Sequence, residues 1–207
     1  MIMKHLNLRL YLVTDEYCLP SGRNLFDAVE EALQAGVTLV QYREKNGPGK
    51  SMLEKSRKLI ALCHKYNVPL LVNDRLDIAL LSGADGVHLG QEDIPVAEAR
   101  RMAGEDFLIG VTAHNVEEAL AAEAAGADYL GCGAVFATHT KKDTVPLGLD
   151  GLQAIRQAVR IPIAGIAGIT TENYQQVLAT GADGVAVVSG ILGAASVRGA
   201  VKRFLDQ

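Results

Sequence analysis

Short continuous apolar blocks alternate with longer stretches in which apolar residues return every three or four positions, and the alternation runs the length of the chain. The blocks fall at Leu8–Thr14, Thr38–Arg43, Pro69–Asn73, Gly86–Leu89, Phe107–Thr112, Tyr129–Phe136, Ile161–Ile166 and Gly184–Val188. They are mostly β-branched residues and leucine without polar alternation, the pattern of strands buried on both faces of a parallel sheet. Between them the period changes to that of a helix. Asn24–Ala35 puts Leu25, Ala28, Val29, Ala32 and Leu33 on one face, and Ser51–Tyr66 stripes Leu53, Leu59, Ile60 and Cys63. That second segment opens S-M-L-E, which predicts a capping box at Ser51. Asn115–Ala125, Gly151–Val159, Thr171–Thr180 and Ser196–Leu205 follow the helical period as well.

One phrase recurs where helix gives way to strand. Ala35-Gly36-Val37-Thr38 is echoed by Gly83-Ala84-Asp85-Gly86, Gly126-Ala127-Asp128-Tyr129 and Gly181-Ala182-Asp183-Gly184. A helix stopped by glycine and turned straight into a strand is the connection a repeating βα unit needs. Eight such units predict an α/β fold, a (β/α)₈ barrel, with an open doubly wound sheet as the competing architecture. No Pro/Ser-rich linker or change of composition divides the chain, so residues 1–207 are expected to form a single domain.

Composition narrows the function more than the fold. Apolar residues are 49% and charged ones 21%, ordinary for a soluble globular protein. A net charge of −4 argues against a nucleic-acid partner, which calls for a basic surface. The opening M-I-M-K-H-L-N-L-R-L lacks an apolar signal core, and the Gly/Ala/Val-rich run from Gly184 to Val197 is shorter than a bilayer span. A soluble cytoplasmic protein with no membrane partner is therefore expected. Cys18, Cys63 and Cys132 are scattered and form no C-x-x-C pair, so they read as reduced thiols, Cys63 and Cys132 in the core. The sequence leaves a homo-oligomer open.

In a barrel, chemistry sits where strands end. At the second such end, Gln41, Arg43 and Lys45 alternate with Tyr42 and Glu44, which turns an amide, a guanidinium and an ammonium to one side. The third end is Asn73-Asp74, and the fourth leads through His88 to Asp93. Two carboxylates on neighbouring strand ends, beside cations, suit Mg²⁺, which takes one or two carboxylates plus water and substrate oxygens. The competing reading of Asp74 and Asp93 is helix N-capping. His88 reads as a polar residue bonding a neighbour inside the barrel, Thr112 as a hydroxyl facing the site, and His114 as a residue preceding the next helix. The sixth end runs into T-H-T-K-K-D-T, Thr138–Thr144, where hydroxyls and lysines crowd together in an otherwise acidic chain. That density suits a multiply charged phosphate ester, within a polar loop at 137–150 of the kind that forms lids. Ends seven and eight carry no charge, but Gly168 and Gly190 bare backbone amides that can cradle a phosphate.

The set Q-Y-R-E-K, V-N-D, G-V-H-L-G-Q-E-D, G-V-T-A-H, T-H-T-K-K-D-T, G-I-A-G-I-T and V-V-S-G-I, in this order and spacing, resembles thiamine-phosphate synthase over nearly the whole chain. The resemblance implies a (β/α)₈ barrel that joins a hydroxymethylpyrimidine diphosphate to a thiazole phosphate, or its carboxylated form, releasing pyrophosphate. It further implies that Gln41, Arg43, Lys45 and Asn73 hold the pyrimidine diphosphate, with Mg²⁺ on Asp74 and Asp93. Thr112 would contact the pyrimidine, and Lys141 the pyrophosphate, so that Arg43, Lys45 and Lys141 stabilise the leaving group. Thr138 and Thr140 would face the thiazole phosphate, received by Gly168, Val188 and Ser189. The chain departs from the family pattern at Ala167-Gly168, where Gly-Gly is usual, and at Thr112, often Ser. Three alternatives stand beside this reading. A thiazole tautomerase of the same fold would carry a histidine at the place of Ala134. A sugar-phosphate isomerase or decarboxylase barrel leaves the paired aspartates unexplained, and a non-catalytic phosphate-binding barrel would have lost the metal or pyrophosphate groups.

Overall fold

The computed structural model describes residues 6–137 and 146–206. Eight parallel strands pair in chain order, and β8 returns to β1, which closes a barrel and excludes the open doubly wound sheet. The strands are β1 Leu10–Val13, β2 Leu39–Tyr42, β3 Leu70–Asn73, β4 Gly86–Leu89, β5 Leu108–Ala113, β6 Tyr129–Cys132, β7 Ile163–Ile166 and β8 Gly184–Val187. The helices packed around them are α1 Leu25–Ala35, α2 Gly49–Lys65, α3 Leu76–Ser82, α4 Val96–Ala103, α5 Val116–Ala124, α6 Gly148–Ala158, α7 Tyr174–Ala179, α8 Ser189–Leu192 and α9 Val197–Leu205. Tyr11, Val13, Leu39, Leu71, Leu108, Tyr129, Ala164 and Ala186 fill the barrel interior. Their strand neighbours Leu10, Leu12, Val40, Leu70, Val72, Val87 and Ile109 pack outward against the helices. Burial on both sides is the reason the strands read as unbroken apolar runs.

The recurring phrase proves to be a structural device. Gly36 and Gly83 end their helices at φ 115° and 78°, and Gly126 and Gly181 turn at φ 95° and 90°, a left-handed region that glycine enters without strain. Two residues on, a side-chain oxygen accepts an amide near the start of the preceding strand. Leu10 N bonds Thr38 Oγ1 (3.1 Å), Leu70 N bonds Asp85 Oδ2 (2.7 Å), Ile109 N bonds Asp128 Oδ2 (2.7 Å) and Ile163 N bonds Asp183 Oδ2 (2.9 Å). Each bond ties an odd strand to the next even one, so the barrel is four copies of a double βα unit. Each also satisfies an amide at the closed end that water would otherwise have to reach.

Two expectations need correction. Helix α2 begins at Gly49 behind Pro48, with no side-chain cap, so Ser51 lies inside the first turn and no capping box forms. The extended backbone of Pro48 (ψ 138°) hands the chain to the helix two residues before the serine. Strand β6 ends at Cys132, four residues short of the apolar run. Beyond it, Val135 and Phe136 donate to the Ile166 and Ala167 carbonyls without rejoining the ladder register. Cys63 and Cys132 are buried as expected, and burial pushes both thiols up to about 12, so neither is a thiolate at neutral pH.

Candidate active site

At the carboxyl ends of the strands a cavity of about 310 Å³ opens, lined among others by Gln41, Arg43, Asn73, Thr112, Gly168 and Ser189. Alternation along β2 and past its end brings Gln41 and Arg43 to the cavity, while Lys45 is not among the residues that line it. Gln41 is buried inside the barrel and donates from Nε2 to the Tyr11 hydroxyl. Two residues on, Arg43 donates from Nη1 to Asp15 Oδ2 at 2.9 Å, while its backbone N–H bonds Thr14 Oγ1 at 3.0 Å. Asp15, only 8% exposed, was not singled out by sequence reasoning. Its Oδ1 accepts the Tyr17 amide (3.0 Å), so one carboxylate both caps the short 3₁₀ turn Glu16–Cys18 and steers Arg43. The signal was available, since Asp15 ends an apolar strand at the rim where polar residues are informative.

Arg43 Nε and Asn73 Nδ2 are buried without a hydrogen-bond partner among the described residues. Buried donors left unpaired are rare in native structures and invite a functional explanation. Both side chains line the cavity, so an acceptor-rich ligand there would satisfy them.

Asp74 sits just past β3 with φ 62°, a strained left-handed backbone for a non-glycine residue, held by its N–H to the His88 carbonyl at 2.8 Å. Lys45 Nζ lies 2.6 Å from Asp74 Oδ2 at the rim. The Asp93 carboxylate accepts the Gly90 amide at 2.6 Å. Burial pushes the Asp93 carboxyl up, and the adjacent Asp74 pushes it further, against the opposing pull of the Gly90 amide and Lys45. The two carboxylates are therefore close enough to act on one another. Neither caps a helix, because α3 starts behind Arg75 and α4 behind Pro95, each without a side-chain cap bond. Among the described residues no group of three or more His, Cys, Asp or Glu side chains gathers in the manner of an all-protein metal cage. Two neighbouring carboxylates beside a lysine do fit an ion that draws its other ligands from water and substrate oxygens.

On the far wall, Thr112 Oγ1 lies 3.0 Å from His88 Nε2, and His88 Nδ1 lies 2.8 Å from the Tyr129 hydroxyl. His88 thus bonds neighbours inside the barrel as expected. His114 pairs with Glu118 at 2.9 Å, which ties it to the first turn of α5, although it also borders the cavity. Gly168 turns at φ 66°, and a β-carbon there would fall 2.5 Å from the Ala137 carbonyl oxygen. Only glycine lets the two loops approach. Ala167 beside it also has positive φ, 79°, an unusual position for alanine and a reason glycine is usual there. Val188 and Ser189 reach the cavity at the start of α8. Thr138, Thr140, Lys141 and the rest of the T-H-T-K-K-D-T cluster lie outside the described residues.

Fold and site together define a (β/α)₈-barrel enzyme whose polar groups gather at the carboxyl-terminal rim. A sequence profile of thiamine monophosphate synthases matches residues 10–191. The thiamine-phosphate synthase of Clostridium novyi is 51% identical over 202 residues, 97% of this chain and 98% of its own length. That of Chloroflexus aurantiacus is 52% identical over 197 residues, covering 95% and 90%. The solved structure of a thiamine phosphate pyrophosphorylase from Pyrococcus furiosus superposes with a TM-score of 0.88 at 42% identity, over 96% of this chain and 94% of that one. The chain belongs to the thiamine monophosphate synthase family, a family of transferases acting on small molecules.

Proposed function

We propose that this chain condenses an aminopyrimidine methyl diphosphate with a hydroxyethylthiazole phosphate in a Mg²⁺-dependent reaction that yields thiamine monophosphate and pyrophosphate. The observation that carries the reading is the rim itself: Asp74 and Asp93 interact beside Lys45, next to a cavity lined by Asn73 and Arg43 with buried donors unpaired. Asp74 and Asp93 would hold Mg²⁺, which when bound neutralises charge on the diphosphate oxygens.

The chain's own residues do the remaining work. Gln41 and Thr112 orient the pyrimidine ring, while Asn73, Arg43 and Lys45 hold the diphosphate. The bond from the methylene carbon to the diphosphate oxygen breaks, and its electron pair leaves with pyrophosphate, whose charge Arg43, Lys45 and Lys141 would stabilise. The aminopyrimidine delocalises the positive charge left on the methylene, and the thiazole nitrogen supplies the pair that forms the new C–N bond. Gly168, Val188 and Ser189 with Thr138 and Thr140 fix the thiazole phosphate so that its nitrogen faces that carbon. Positioning and charge stabilisation account for the catalysis, and no strong general base is required.

Ala134 borders the cavity where the tautomerase reading needs an imidazole, which favours the synthase. Among the described residues no helix is long and apolar enough to cross a membrane. With three free cysteines, this fits a cytoplasmic setting, and the enzyme acts there as a monomer or a homo-oligomer.

The test is direct. Purified protein with Mg²⁺ and both substrates is expected to release pyrophosphate in step with thiamine phosphate. Thermal shifts without turnover would leave a binding protein, and isomerisation of a carboxylated thiazole phosphate alone would leave the tautomerase. Within this reading, Gly168→Ala is expected to raise the KM for the thiazole phosphate about tenfold or more, because the added methyl displaces the loop at 136–137. The KM for the pyrimidine diphosphate should hardly move. Equal changes in both would show that Gly168 serves general stability instead.

A further inference from the structure

Five side chains cross the barrel at the cavity floor in an unbroken line of hydrogen bonds. Gln41 Nε2 bonds the Tyr11 hydroxyl, which lies 2.8 Å from the Tyr129 hydroxyl. Tyr129 lies 2.8 Å from His88 Nδ1, and His88 Nε2 lies 3.0 Å from Thr112 Oγ1. Gln41, Tyr11, His88 and Thr112 line the cavity, and Tyr129 joins Tyr11 to His88 behind it. The interior is shaped to admit it. A β-carbon on Gly110 would fall 2.1 Å from the Tyr129 ring, and one on Gly131 would fall 3.0 Å from His88 Cε1.

Proton counting gives the line a direction. An amide nitrogen can only donate, so Tyr11 accepts from Gln41 and has one proton to pass on. Burial pushes both phenols up, so both hydroxyl protons are present at neutral pH. Tyr11 therefore donates to Tyr129, and Tyr129 donates to His88 Nδ1. The imidazole then carries its own proton on Nε2 and gives it to Thr112 Oγ1. Every hydroxyl in the line has a single proton, so the direction can reverse only for all five residues at once.

We infer that Tyr11, Tyr129 and His88 are positioning residues that fix which hydrogen-bonding groups the cavity shows: an acceptor at Gln41 Oε1 and a donor at the Thr112 hydroxyl. Resting on the reaction proposed above, this pair matches a ring edge with an exocyclic N–H beside a bare ring nitrogen. It mismatches the oxo form of the same ring, whose carbonyl and ring N–H present the opposite order. The line thereby selects the aminopyrimidine over its deaminated counterpart.

Two measurements test this on the full chain. The ¹⁵N shifts of His88 are expected to show a neutral ring protonated on Nε2, and a ring protonated on Nδ1 would overturn the inference whether or not the protein turns over. In kinetics, wild type is expected to prefer the amino over the oxo pyrimidine diphosphate in kcat/KM. Tyr129→Phe, which keeps the ring and removes only the hydroxyl, should narrow that preference by about tenfold, the scale of one hydrogen bond. The KM for the thiazole phosphate should be unchanged and the thermal transition cooperative. An unaltered preference in Tyr129→Phe, or an equal loss for both pyrimidines, would overturn it. Absence of any turnover by wild type, with the Nε2 proton in place, counts against the proposed reaction and leaves the direction of the line standing.

Discussion

Asp93→Asn is expected to lower turnover by at least about 100-fold, the scale of one lost charge-stabilising group, and yet to raise the melting temperature of the metal-free protein. Both effects come from the same contact. Burial and the neighbouring Asp74 raise the Asp93 carboxyl above its ordinary value, so the native state favours the protonated form more than the unfolded chain does. A group raised in this way contributes stability that is complete below its unfolded pKa and lost as pH rises through the folded one. As pH rises, the ionised Asp93 costs the native state more than the unfolded chain. Asparagine removes the charge and keeps an oxygen for the Gly90 amide. A rise of about 2 °C in EDTA at pH 7.5 is expected. The gap between variant and wild type should close as pH falls toward the ordinary carboxylate range. Added Mg²⁺ should raise the melting temperature of wild type and leave the variant where it was. A variant that melts lower than wild type in EDTA, or that keeps near-normal turnover, would refute the assignment of Asp93.

The barrel was legible because its strands are buried on both faces, which leaves uninterrupted apolar runs that nothing else in the chain imitates. The polar exceptions were legible for the same reason. Gln41, Asn73 and Thr112 stand out inside runs that are otherwise apolar, and barrel geometry says which end of the strand faces the chemistry. The short helices α3 and α4 were missed because seven or eight residues give too few turns for a periodic stripe to register. Asp15 was missed because its importance lies in a partner 28 residues away, not in its own surroundings. Tyr11 and Tyr129 are harder still. Each sits within an apolar strand and reads as an aromatic core residue, and only the closed barrel shows the two hydroxyls meeting across the interior. The Thr38, Asp85, Asp128 and Asp183 bonds were half visible, since the repeated phrase marked a turn without revealing that its polar residue reaches back to the preceding strand.

The pairing of Arg43 with Asp15 leads to an effect on stability as large as that on turnover. Their side chains are 15% and 10% exposed, so the ion pair is largely withdrawn from water. Arg43→Ala removes a group that faces the departing pyrophosphate, and turnover should fall by about 100-fold. It also strands the Asp15 carboxylate in a place it cannot easily hydrate. Removing one partner of a buried pair costs about 3 kcal/mol, well above the worth of an exposed ion pair. Adding Asp15→Asn to Arg43→Ala should then recover most of the stability, because the amide carries no charge and can still accept the Tyr17 N–H. Activity should stay low, since the guanidinium is still missing. Urea unfolding of wild type, both single variants and the double variant measures the first effect, and kcat/KM for the pyrimidine diphosphate measures the second. Arg43→Ala unfolding at the wild-type midpoint would show that Asp15 is hydrated and the pair ornamental. Turnover restored in the double variant would show that Arg43 serves only to neutralise Asp15, with no part in holding the leaving group.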